Sequence, residues 1–88
     1  MNEMYLKATA EMTRAVGILR TVARDTGDAD LARYVDEAID KFRIGDDPGY
    51  EVSYALGFAV GIGEDAMADR LTLALGILDK ARERTYGS

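Results

Sequence analysis

The stretch "SYALGFAVGIG", Ser53 to Gly63, carries no charged residue, in a chain where 31% of residues are charged. Around it Val52, Tyr54, Leu56, Phe58, Val60 and Ile62 alternate with Ser53, Ala55, Gly57, Ala59, Gly61 and Gly63. A period of two is the signature of a strand, here with one face of small residues. The fold turns on whether that signature is obeyed. A strand needs partners, and the only candidates are "KFRI" and "LTLALGIL", both of which sit inside amphipathic helical patterns. The helical alternative costs about 1 kcal/mol for each interior glycine, with Gly63 free to act as a stop. Helix is the expectation, and an α+β fold with residues 52–62 as a strand is its alternative.

Outward from this segment the periodicity is plain. From Asn2 to Arg24, Tyr5, Ala8, Met12, Ala15, Val16, Leu19, Val22 and Ala23 share one helical face, opposite Glu3, Lys7, Glu11, Arg14, Thr21 and Arg24. Glu3 and Lys7 form an i,i+4 pair in the favourable order. "DTGD" reads as a left-handed stop at Gly27 followed by Asp28 as the next N-cap. A second helix over about 29–43 places Leu31, Tyr34, Val35, Ala38, Ile39 and Phe42 inward, with Asp30, Arg33, Asp36, Glu37, Asp40 and Lys41 in water. "GDDPG" supplies Gly45 as a stop, Asp47 as a cap and Pro48 at the first helical position. The last helix begins after "GED", with Gly63 or Asp65 near its cap, and buries Met67, Leu71, Ala74, Leu75, Leu78 and Ala81.

The expected fold is therefore all-α: a compact four-helix bundle of two αα-hairpins, residues 2–43 and 48–84, with 85–88 frayed. A shift of 36 positions aligns Gly27 with Gly63, Asp28 with Glu64, Leu31 with Met67 and Val35 with Leu71. Identities are few, and any two amphipathic helices can be slid into register.

Composition bounds the chemistry. Eighty-eight residues make one domain with a small core. There is no cysteine and no histidine, so disulfides, thiolate metal sites and the commonest general base are all missing. Enzyme activity and a bound cofactor are not expected. The N-terminus lacks the basic start and apolar run of a signal peptide, and the uncharged segment is well short of the ~20 residues that span a bilayer. A cytoplasmic protein off the membrane is the expectation. A net charge of −5 opposes binding to phosphate backbones, so no direct nucleic-acid contact is expected.

Two motifs fail on inspection. "DKFRIGDDPGYE", Asp40 to Glu51, has the acid, glycine and glutamate spacing of a calcium loop, but Phe42 and Ile44 stand where oxygen ligands belong. "GIGEDA", Gly61 to Ala66, matches a dinucleotide fingerprint, yet Glu64 and Asp65 would repel a pyrophosphate and too little chain follows.

What remains is surface. As a helix, residues 52–62 are apolar all round, which implies cover all round. Ser53, Gly57 and Gly61 recur every four residues, a small-residue stripe that admits another backbone. Ile18 and Ile77, with Leu6 and Leu73, fall outside the main faces of the first and last helices. The reading is a small protein–protein interaction or regulatory module, homodimeric through Ser53, Tyr54, Gly57, Phe58, Val60 and Gly61, flanked by Ile18 and Ile77. The alternative is an acidic inhibitor whose Asp36, Asp40, Asp46, Asp47 and Glu51 occupy a basic groove of a partner protein.

Overall fold

The computed structural model describes residues 3–83, with side chains from Ala10 onward. The Glu3–Lys7 pair, the side chains of Tyr5, Leu6 and Ala8, and Arg84 with the 85–88 end fall outside that range. Four helices follow in order: α1 Glu3–Asp25, α2 Ala29–Arg43, α3 Gly49–Gly61 and α4 Asp65–Arg82. Among the described residues there is no strand, so the period-two segment is helical. With no sheet for it to join, its backbone hydrogen bonds close locally.

Helix α1 packs on α2 and α4, and α3 packs on the same two, so that among the described residues α1 and α3 stand diagonally opposite. Short connections make consecutive helices neighbours, as two αα-hairpins require. Ala15, Val16, Leu19 and Val22 of α1, Leu31, Val35 and Ile39 of α2, and Met67, Leu71 and Leu78 of α4 fill the centre. Helix α3 adds Val52, Ala55 and Ala59.

The turns obey local chemistry with one exception. Asp28 accepts a hydrogen bond from the Leu31 amide at 2.9 Å and caps α2. Gly45 and Gly63 have φ of 89° and 78°, the left-handed conformation that favours glycine. Each forms a two-bond stop: Gly45 N–H donates to Phe42 O and Asp46 N–H to Lys41 O, and Gly63 N–H donates to Val60 O and Glu64 N–H to Ala59 O. Gly27 is the exception, since its φ is not positive. There α1 ends with Thr26 N–H donating to Val22 O, and Thr26 Oγ1 accepts from Asp28 N–H, so a side chain does the work expected of a left-handed glycine. "GIGEDA" is accordingly a helix stop followed by a helix start.

The 36-residue correspondence breaks at its caps. Asp28 caps α2, whereas its counterpart Glu64 makes no side-chain cap on α4. Glu64 Oε2 instead accepts from Thr26 Oγ1 at 2.7 Å, tying the α1–α2 turn to the α3–α4 turn.

Candidate interaction surface on the third helix

Helix α3 is held at its start by polar contacts and along its length by small side chains. Asp47 Oδ1 accepts from the Gly49 amide at 2.9 Å, and Arg82 of α4 donates to both Asp47 oxygens, at 2.7 and 3.2 Å. Burial, the largest single influence on the Asp47 carboxyl, pushes its pKa up; the hydrogen bonds from Arg82 and Gly49 outweigh it and bring the pKa below its usual value. Gly49 is buried against the Arg82 guanidinium so closely that a Cβ there would collide with it. The corresponding tie between α1 and α4 is Asp25, which accepts from Arg24 and from Arg70 at 2.8 Å and whose pKa falls well below the carboxylate range as a result.

The inward side of α3 is Val52, Ala55 and Ala59, all fully buried, with Leu56 and Phe58 half-buried at its flanks. The outward side is Tyr50, Ser53, Tyr54, Gly57, Val60 and Gly61, every one exposed. Tyr50 is 77% exposed, Val60 61% and Tyr54 52%. An ideal Cβ at Gly57 or Gly61 meets nothing within 4 Å, so these glycines serve no close packing inside the chain. The sequence implies cover all round residues 52–62, but the rest of the chain supplies only the inner half.

The expected interface residues therefore divide. Ser53, Tyr54, Gly57, Val60 and Gly61 share the open face, and Phe58 lies at its edge against Tyr34 of α2, ring centroids 5.1 Å apart. Ile77 is a correction: it is only 8% exposed and belongs to the core, because α4 turns that side toward its neighbours in the bundle. Ile18 is half-buried on α1, diagonally opposite α3, and cannot flank the same face.

The five carboxylates divide as well. Asp47 is bound to Arg82 and Gly49. Asp40 lies 3.4 Å from Arg43, and Asp46 and Glu51 each lie 3.9 Å from Lys41. Asp36 is exposed on α2. Asp40 and Glu51 line one depression, and four of the five carboxylates lie beside cations of their own chain.

Between α2 and α3 the structure brings together residues that sequence reasoning did not group. Tyr34, Glu37, Tyr50, Glu51 and Tyr54 line an open depression of about 310 Å³. Tyr34 and Tyr54 meet edge to face at 4.9 Å, and the Arg33 guanidinium lies 5.2 Å over the Tyr34 ring. The Tyr54 phenol is raised above its usual pKa, first by its hydrogen bond with Tyr34 and to a lesser degree by Glu37. A second depression of about 330 Å³ shares Glu37 and Glu51 and continues to Asp40, Lys41 and Ile44. Spacing puts Tyr50 with Tyr54, and Tyr34 with Glu37, on one side of each helix, but only the packing of α2 on α3 brings the two pairs together.

Among the described residues no three carboxylates converge as metal ligands, and no helix is long and apolar enough to cross a membrane. Set against protein-family models, curated proteins and solved structures, the chain matches none of them.

Proposed function

We propose that this chain is a cytoplasmic protein–protein interaction module that binds rather than catalyses, and that the outward face of α3 receives a second copy of the chain. The observation that carries the reading is that α3 exposes Tyr50, Tyr54 and Val60 around two open glycines, with no charged residue between Val52 and Gly63. Uncovering large apolar side chains forfeits roughly 1.5–3 kcal/mol each relative to full burial, which matters in a domain this small. Two copies each carrying a net charge of −5 repel one another at most approaches. From Val52 to Gly61 the α3 face itself carries no carboxylate, and its small residues let the two axes come close.

A contact made by α3 alone is modest. Thirteen residues give a face about 20 Å long and about 10 Å wide. That is well below the ~800 Å² per partner of a standard interface, so a weak, concentration-dependent dimer is expected. Sedimentation velocity at tens of micromolar tests it. The parent chain's average mass is expected to rise above 9.6 kDa toward twice that value as concentration increases. Gly57→Leu, which meets no atom of its own chain, should be monomeric with an unreduced thermal midpoint. A parent chain that is monomeric throughout that range would end the proposal.

A further inference from the structure

We propose that the depression between α2 and α3, walled by Tyr34, Tyr50 and Tyr54 and flanked by Glu37 and Glu51, receives an arginine side chain from a basic segment of a partner protein. The inference does not rest on self-association. Aromatic rings attract cations through their faces, and arginine is the cation most often found there because its planar guanidinium also stacks. Tyr34 already holds one such group, the Arg33 guanidinium 5.2 Å above its ring. Tyr50 and Tyr54 are the exposed rings without a cation of their own chain over them, among the contacts described.

Charge complementarity supplies the second argument. Glu37, Glu51 and Asp40 line the two depressions with Lys41, which is 3.9 Å from Glu51 and from Asp46. Arg43 takes up Asp40 at 3.4 Å and Arg33 stands over Tyr34, so the carboxylates left for a visitor are Glu37 and the weakly paired Glu51. Glu37 is close enough to influence Arg33 but forms no ion pair within 4.0 Å among the described residues, so its oxygens are placed to accept both N–H bonds of an incoming guanidinium. A peptide segment suits the site better than a free cation, because the tyrosine-lined depression runs on past both glutamates to Ile44, which is 74% exposed. An apolar residue beside the arginine would cover it.

A second copy on α3 would cover Tyr50 and Tyr54, so the test uses the parent chain and Gly57→Leu side by side. Each is given a fluorescent nonapeptide with three arginines among glycines and one isoleucine, followed by anisotropy at low ionic strength. Glu37→Gln and Tyr50→Ala should each weaken binding by about fivefold or more. Asp36→Asn removes the same charge from the same helix about 100° further round, outside both depressions, and should change affinity by less than about twofold. Tyr50 is 77% exposed, so its replacement leaves the fold intact, and an unchanged thermal midpoint verifies this. The three-lysine counterpart should bind more weakly and lose less on Tyr50→Ala. No binding by either chain up to millimolar peptide would overturn the inference. So would equal losses from Asp36→Asn and Glu37→Gln, which would mark general attraction to an acidic protein, or tighter binding of tetramethylammonium than of the peptide.

Discussion

Helices α2 and α3 lie side by side on the bundle and treat solvent in opposite ways. The outward side of α2 carries Asp30, Arg33, Asp36, Glu37 and Asp40, while that of α3 carries Tyr50, Ser53, Tyr54, Gly57, Val60 and Gly61. Their inward sides differ too. Helix α2 anchors itself with Leu31, Val35 and Ile39, but α3 offers Val52 and two alanines. A helix gains most of its stability from its buried face. Helix α3 fills the core with smaller side chains than α2 does, and keeps apolar surface that its own chain does not cover. That imbalance is the physical basis for assigning it a partner.

Substitutions can break or sharpen the contrast. The largest effect is expected on the α2 side, where Leu31→Ala should cost about 2–5 kcal/mol by leaving a cavity beneath a fully buried side chain. Urea unfolding would measure it. On the α3 side the equivalent damage comes from adding bulk: Ala59→Leu should cost about 1–3 kcal/mol, because α3 sits close to the core through its alanines. Equal costs for Ala59→Leu and Ala59→Gly would show that α3 is not closely seated.

The open glycine gives a subtler test. Gly57→Ala should stabilise the dilute, monomeric chain by about 1 kcal/mol, a rise of roughly 4–8 °C in thermal midpoint, since its Cβ meets nothing. The gain should shrink at high concentration, where a second copy needs the space.

The smallest effect concerns the strap at the start of α3. Asp47 has a lowered pKa, so its contribution is present above the unfolded carboxylate value near ~3.9 and is lost as pH falls through the folded one. Both partners are more than a third exposed, which limits the Asp47–Arg82 pair to about 1 kcal/mol or less. Asp47→Asn should lower the midpoint slightly at neutral pH and leave it level with the parent in acid. A constant difference across pH would assign the effect to something other than ionisation.

Much of the fold was legible from side-chain period and turn chemistry. The buried faces of α1, α2 and α4, the stops at Gly45 and Gly63, and the cap at Asp28 follow from local rules; before α3 the N-cap is Pro48, one residue later than expected, and Asp47 takes the Gly49 amide in the turn. Period alone misread Val52 to Ile62 as a strand, and the lack of pairing partners elsewhere in the chain was what pointed to helix. Gly27 was misjudged because a threonine hydroxyl can close a turn as well as a left-handed residue can. Ile77 was misplaced because a helix with neighbours on two sides buries a wider arc than one stripe. The tyrosine-lined depression was missed for a different reason: it exists only once α2 is set beside α3, which no single helix pattern specifies.

Because the chain has no cysteine, a single introduced thiol reports contact between copies without interference. Gly57→Cys places it at the centre of the α3 face, and Asp36→Cys places it on the charged face of α2. In a two-fold dimer through α3 the Gly57→Cys sulfurs come within disulfide reach, so mild oxidation at tens of micromolar should yield a covalent dimer far faster than for Asp36→Cys. Equal rates for the two proteins, or no cross-linked dimer from either, would contradict the account.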